Sequence, residues 1–384
     1  MEDIYNGTSS VSFSLGYVTE PDLNDSSPTV EFMEYDLRSV PYPRPRHSLP
    51  WWEITLKVFF YVVIILIALI GNVMVIVVVI RDKRMRTTTN FYIVNLATSD
   101  LLVILSCAWV HLVNSLSDNW VLGAFFCKVN SFAQVLSLVA SILTLTLIAC
   151  DRFFGIVFAM KAHIIERRAW YSIVIVWVCS IAVALPMLIY RKMDTRQWAD
   201  HTETWCDDQW PVFTFVPPGG NSTVRSMPSR TIYYTFVSVV LYFIPITVMT
   251  IAYTVIIVKL WSARAPGEQL QTDSTQERVR KRVVIMLVAI LFMFILCWLP
   301  FHICIMYAEY REQTELAEWF NKFHFFALYL AYSNSAFNPL IYTGFNQKFR
   351  KGFKNILVVC KKRKYSDIVT HQESFNSTTL VTKV

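Results

Sequence analysis

Seven apolar runs, each long enough to cross a bilayer as a helix, dictate what this chain can become: Leu56–Ile80, Phe91–Val113, Phe125–Ala149, Ala169–Tyr190, Thr231–Leu260, Val283–Tyr307 and Trp319–Phe345. A helical span needs roughly 20 apolar residues. The expected fold is therefore an all-α, seven-helix membrane bundle. Composition agrees, with 54% hydrophobic and only 16% charged residues, unlike an ordinary soluble domain. The seventh run closes on Asn338-Pro339-Leu340-Ile341-Tyr342. A proline there removes a backbone donor and loosens the ladder, and its polar neighbours are costly in lipid, so this end reads as a hinge inside a bundle.

The bundle is expected over residues 54–345, between an outer tail (1–53) and a membrane-surface helix (346–358), with a disordered cytoplasmic tail (359–384). Residues Met1 to Pro50 have no apolar core, so the first span is expected to act as its own insertion signal. Lys and Arg cluster after the first span (Arg81, Lys83, Arg84, Arg86), before the fourth and sixth (Arg167, Arg168; Arg278, Arg280, Lys281, Arg282) and after the seventh (Lys348, Arg350, Lys351, Lys354). With alternating spans these share one side, which is cytoplasmic by the positive-inside rule and leaves the N-terminus outside. The net charge of +7 is explained this way, and no aromatic-interleaved basic patch points to nucleic acid. Outside, Asn6 and Asn24 head glycosylation sequons, and Cys127 and Cys206 lie where a disulfide can persist. Cys107, Cys150, Cys179, Cys297 and Cys304 read as small apolar fillers. Cys360, beside Lys361 to Lys364, is either a palmitoylation site or a free thiol. In the surface helix Phe349, Phe353, Ile356 and Leu357 share one face, with cations on the other.

Polar residues inside spans mark function. Asn72, Asn95, Asp100, Ser141, Asn334, Ser335 and Asn338 make up the set here. They would form either an oxygen-lined cation site or a hydrated hydrogen-bond network. Asp151-Arg152-Phe153 ends the third span, where a charged pair can hold the arginine until a switch releases it; an ordinary boundary pair is the plainer reading.

With these motifs in order, the chain resembles the rhodopsin-like (class A) G-protein-coupled receptors. The likeness rests on Gly71-Asn72-Val73, Leu96-Ala97-Thr98-Ser99-Asp100, Asp151-Arg152-Phe153, Trp177, Pro245, Cys297-Trp298-Leu299-Pro300 and the Asn338–Tyr342 motif. It implies a plasma-membrane receptor in which Arg152 meets a G protein, with Tyr253 and Tyr342 turning toward it, and which also meets arrestin. Trp298 would sense ligand, and Pro245, Ile142 and Phe294 would relay the change. Asp100, Ser141, Asn334 and Asn338 would hold a sodium ion; no other cofactor is implied. Two departures stand out. Phe153 replaces the usual tyrosine, and Arg280 replaces an acid that pairs with the third-helix arginine in some members.

Gln134 lies eighteen residues before Arg152, about 27 Å along a helix, so the two face opposite sides of the membrane. By resemblance, Gln134 stands where amine receptors carry an aspartate and Tyr332 where opsins carry a lysine. A peptide ligand fits what remains. The chain is similar to orexin, neuropeptide FF and trissin receptors through Phe91–Leu96, Trp120–Gly123, Leu143–Leu145, Cys206–Trp210 and Tyr332–Ala336. Analogy puts Gln134 at the peptide's C-terminal end and Asp207 or Asp208 at a basic group. Ile305 and Leu328 would be pocket walls. His302 would be either a further wall or a packing residue. Glu309, Glu312, Glu315 and Glu318 would add to the outer negative field. A non-peptide or constitutively active receptor is one alternative and a transporter or channel another, although neither repeated broken helices nor a selectivity loop is evident. Enzyme chemistry is not supported, since no metal-ligand histidine cluster and no nucleophile with a base at usable spacing occurs.

Overall fold

The computed structural model describes residues 37–43, 49–158, 166–215, 224–262, 271–311, 318–356 and 358. Its long helices are α1 (Trp51–Arg81), α2 (Thr88–Leu116), α3 (Gly123–Val157), α4 (Glu166–Tyr190), α5 (Pro228–Ser262), α6 (Gln271–Tyr310) and α7 (Glu318–Phe345). A short helix α8 follows over residues 347–356. Most helices overrun their apolar runs, because a helix keeps its own backbone bonds beyond the hydrocarbon and stops at local signals. Thr87 caps α2 by accepting from the Asn90 N–H at 3.4 Å, and Pro228 opens α5 at its first position, where a missing N–H costs nothing.

By length and composition α1 to α6 are each apolar enough to cross a membrane. α7 is 28 residues long but less apolar, because it carries Ser333, Asn334, Ser335 and Asn338. All four are buried where α7 packs along α1 and α6. The seventh element is thus a bundle helix whose polar stripe is hidden from lipid. The opposite pattern holds on the outside. Phe59, Phe60 and Leu66 of α1, Ile175 and Val178 of α4, and Ile251 of α5 are exposed. Such a belt suits hydrocarbon and would be a liability in water.

Two local departures from regular helix shape the bundle. α5 widens to π geometry over Phe236–Phe243, just before Pro245, whose ring and missing N–H disturb the preceding turn. α2 widens over Ile104–Ala108. α1 and α7 meet at a glycine: a Cβ on Gly71 would lie 2.6 Å from Pro339 Cβ, so only glycine lets the helices touch there. On α8, Phe349 and Phe353 are buried, Phe349 stacks on Tyr342 with centroids 5.5 Å apart, and Lys348, Arg350, Lys351 and Lys354 are exposed.

One end of the bundle carries an antiparallel hairpin, β1 (Arg191–Gln197) and β2 (Thr202–Asp208), registered Arg191 to Asp208 and Met193 to Cys206. A second pair, β3 (Phe213–Phe215) and β4 (Val224–Ser226), follows it. The Cys127–Cys206 disulfide pins the hairpin to the start of α3, and the Trp120 N–H donates to the Thr204 carbonyl at 2.8 Å. Residues 37–43 dock on the hairpin tip, where the Ala199 N–H donates to Val40 and the Tyr42 N–H to Asp200 Oδ1 at 2.7 Å. The other end carries Arg152, α8 and the basic clusters that follow α1 and α7. Asn6, Asn24, Leu357, Cys360, Glu312, Glu315 and the tail from 359 onward lie outside the described residues.

Candidate functional site

At the hairpin end the helices enclose a cavity of about 540 Å³, within the range of pockets that take small ligands or part of a peptide. Gln134, Asp207, Asp208, Ile305 and Leu328 all line it. The Tyr332 hydroxyl donates to Gln134 Oε1 at 3.0 Å. That bond occupies the carbonyl of Gln134 and leaves its amide N–H groups as the donors the cavity can use.

The two aspartates have different environments. Asp207 has a side chain 58% exposed, 3.7 Å from Arg191. The Asp208 side chain is 3% exposed and meets Arg191 Nη1 at 2.5 Å, while the Tyr234 hydroxyl donates to its other oxygen. Burial is the largest single influence and works against both charges, but the ion pair, its hydrogen bonds and the neighbouring charges together outweigh it. Asp208 is held below the usual carboxylate range, chiefly by Arg191, and Arg191 is pushed further up, chiefly by Asp208. Of the two aspartates expected to meet a basic ligand group, Asp208 is thus already paired inside the protein, and Asp207 is the more exposed. Across the cavity, Glu309 takes Arg230 at 3.0 Å and accepts from Thr231 at 3.2 Å. Glu309 belongs to α6 and supports the wall instead of adding to a loop field.

His302 is a correction to the expected pocket walls. It is absent from the cavity wall and fully buried, with Nδ1 3.1 Å from Ser238 Oγ and its ring stacked on Tyr242 at 4.0 Å. Four residues along a helix turn the side chain by about 40°, so a position one turn from Trp298 faces α5. The plainer reading, a packing histidine, describes it.

Below the cavity, Trp298 is buried against Phe294 and Phe301, and Phe294 leads to Tyr242 of α5. Ile142 is fully buried in the same core, and Pro245 is half-buried. Asp100 then gathers α7: Ser335 Oγ donates to Oδ1 at 2.9 Å and Asn338 Nδ2 to Oδ2 at 2.8 Å. Asn72 Nδ2 donates to the Ser335 carbonyl at 2.9 Å; Ser141 of α3 and Asn334 of α7 are also buried. A separate bridge runs from Trp177 Nε1 to Asn95 Oδ1 at 2.8 Å and from Asn95 Nδ2 to Thr144 at 2.8 Å. At the far end Arg152 lies 3.4 Å from Asp151, which also accepts from Thr89 at 3.1 Å. Tyr253 and Tyr342 are buried, and Arg280 is exposed.

Residues 71–342 match the family described as 7 transmembrane receptor (rhodopsin family). The chain belongs to this family. Among curated proteins this receptor is 31% identical to the tachykinin-like peptides receptor 99D of Drosophila melanogaster over 81% of the chain and 59% of that relative. It is 32% identical to neuropeptide FF receptor 2 of Mus musculus over 74% and 68%. With the pyroglutamylated RF-amide peptide receptor of Rattus norvegicus it shares 35% over 73% and 64%. The chain thus spans roughly three fifths to two thirds of the length of these relatives. The neuropeptide FF likeness read from the motifs recurs among them, and none of them is an enzyme.

Sequence reasoning missed Arg191, Arg230 and Tyr234, which line the receptor's cavity and hold its carboxylates. The residues that partner Asp208 lie 17 and 26 positions away, and neither separation is a helical or strand repeat. An arginine directly after the fourth apolar run, on the side opposite the basic clusters, was the available signal.

Proposed function

We propose that this receptor binds an extracellular neuropeptide in the hairpin-end cavity and converts that binding into activation of a heterotrimeric G protein at the Arg152 end. The observation that carries the reading is the cavity itself. It opens between the helices, is roofed by a disulfide-pinned hairpin, and has the buried rings of Trp298, Phe294 and Tyr242 packed in series beneath it. The relatives' names, all of peptide receptors, support it, and one of them names an RF-amide peptide. In this reading the hairpin end is extracellular, the N-terminus lies outside, and the plasma membrane is the site of action. Arrestin meets the same inner face once the switch has turned.

Gln134 donates to the peptide's C-terminal end, and Asp207, the carboxylate with charge to spare, meets a basic group; Ile305 and Leu328 close apolar walls around it. The relaxed arrangement pairs Arg152 with Asp151. Ligand displaces Trp298, Phe294, Ile142 and Pro245 transmit the shift, α7 moves at Pro339, and Tyr253 and Tyr342 come to support Arg152. Screening neuropeptides on transfected cells with calcium and cAMP readouts tests the assignment. Calcium mobilisation is the expected response, and a ligand-evoked current without G protein would overturn the receptor reading. With an agonist in hand, Asp207→Ala should shift the concentration–response curve about tenfold, as loss of a charged hydrogen bond does. Gln134→Ala should shift it in the same direction at unchanged surface expression. Superimposable curves for both would remove the pocket assignment.

The donor chemistry of Asp100, Ser141, Asn334 and Asn338 suits a sodium ion. The oxygens Asn334 Oδ1 and Asn338 Oδ1 are buried without a donor, and carboxylate, amide and hydroxyl oxygens are what a hard cation takes. Bound there it would neutralise Asp100 and favour the resting packing of α2 against α7.

Arg280 supplies a further prediction. An acid there could hold Arg152, whereas an arginine repels it. Arg280→Glu should lower ligand-independent signalling severalfold, since an exposed pair is worth up to about 1 kcal/mol. Basal second-messenger levels at matched expression measure this, and an unchanged level would discard the idea.

A further inference from the structure

A second cavity, of about 590 Å³, lies at the opposite end of the molecule, between the end of α1, the turn after it and α8. Four cations line it: Arg81 ends α1, Arg84 sits on the turn, and Lys348 and Lys351 project from α8. The two lysines are three residues apart and so share a face of that helix. Among the described residues none of the four is in an ion pair. Asp82, the carboxylate in the lining, is engaged in shaping the turn, accepting from the Arg84 N–H at 2.9 Å. The walls behind the cations are apolar, from Val78 and Ile356, and Asn355 adds an amide at the rim.

This concavity is built, not incidental. α8 approaches α1 at Gly352, where a Cβ would lie 2.6 Å from Val78 Cγ1. A larger residue would lever the two lysines away from the two arginines. Positive charge at a cytoplasmic boundary is ordinary, but here cations from two separate segments converge on one space with apolar walls.

We propose that this cavity binds the headgroup of a phosphoinositide of the inner leaflet, its phosphomonoesters held by Arg81, Arg84, Lys348 and Lys351 and its acyl chains leaving past Val78 and Ile356. The proposal rests on the membrane orientation given above but not on the ligand of the hairpin-end cavity. The lining carries four cations against one carboxylate, matching a multiply phosphorylated inositol better than a singly charged headgroup. Basic pockets on the cytoplasmic side of membrane helices are suited to such headgroups.

The test uses the purified full chain in detergent and short-chain (dioctanoyl) phosphatidylinositol bisphosphate, with binding followed by thermal stabilisation. Saturable stabilisation is expected, with dioctanoyl phosphatidylcholine inert and soluble inositol trisphosphate clearly weaker. Arg81→Gln with Lys351→Gln should weaken the lipid about tenfold or more, each basic residue near a membrane surface contributing a severalfold factor. Gly352→Leu should weaken it comparably with every charge retained, while the off-cavity pair Lys83→Gln with Lys354→Gln should stay within about twofold. Equal losses for both glutamine pairs would mean diffuse attraction and overturn the site, as would soluble inositol trisphosphate binding as tightly as the lipid. Monodisperse elution of each variant shows that it is folded; should Gly352→Leu not fold, the two glutamine pairs still decide. None of these measurements needs an agonist, so failure of the peptide reading and failure of this one are told apart.

Discussion

Asp208→Ala should cost the receptor about 3–5 kcal/mol, the range found when one partner of a buried ion pair is removed. The loss would appear as low surface expression and a much lowered melting temperature of the purified protein. The cause is what is left behind: Arg191 would lose its 2.5 Å partner and keep only Asp207 at 3.7 Å, and the buried Tyr234 hydroxyl would lose its acceptor. Asp207→Ala should cost under about 1 kcal/mol, because that carboxylate is exposed and screened, so its effect should fall on ligand potency. The double variant Arg191→Met with Asp208→Leu should recover much of the stability, as apolar replacement of buried pairs does elsewhere. Linkage gives a second check. Asp208 is depressed, so its contribution is complete above the ordinary carboxylate range and lost only as pH falls through the lowered value. Arg191 is raised, so its contribution is complete at lower pH and lost only as pH rises past the raised value. The pair should thus contribute no slope to stability between about pH 5 and pH 9. An Asp208→Ala receptor that melts like the wild type yet answers agonist poorly would return Asp208 to a ligand-contacting role.

The contrast between Asp207 and Asp208 shows where sequence reading stops. The bundle was legible because bilayer thickness writes itself into the length of apolar runs, and even α7, the least apolar, could be found from its polar motif. The disulfide was legible from two cysteines on one side of the membrane. The hairpin was not. Arg191–Gln197 and Thr202–Asp208 show no apolar alternation, since their pairing is fixed by the Cys127 anchor and cross-strand partners instead of a buried face. Two adjacent aspartates look alike in a sequence, and only the register placing Arg191 opposite Asp208 separates them. His302 failed for a related reason: spacing along one helix gives an angle, but which neighbour occupies that angle depends on Ser238 and Tyr242 of another helix. Intrahelical or membrane-depth information was readable, and pairwise tertiary information was not.

Asp100 joins both kinds of information, and its replacement is the second large effect. Asp100→Ala strips the acceptor from Ser335 Oγ and Asn338 Nδ2. Each buried donor left without a partner costs about 1–3 kcal/mol, so stability should fall by roughly 2–6 kcal/mol if both stay unmatched. Asp100→Asn separates packing from charge. Its carbonyl still accepts from Asn338, the Ser335 hydroxyl can rotate to accept from its amide, and the cost should stay near about 1 kcal/mol. What the amide cannot supply is the negative charge. If the oxygens of Asp100, Ser141, Asn334 and Asn338 hold sodium, replacing sodium by a bulky organic cation at constant ionic strength should raise agonist affinity about tenfold in the wild type and leave the Asp100→Asn receptor unmoved. If these residues form a hydrogen-bond network alone, wild type and variant should both be insensitive to the exchange. Asn338 immediately precedes Pro339, and Pro339 packs on Gly71 at a distance no other residue allows, so loosening Asn338 from Asp100 should disturb the packing of α7 on α1 at that point. That coupling is why a change at Asp100 should be felt at Tyr342 and Arg152, with no contact between them required.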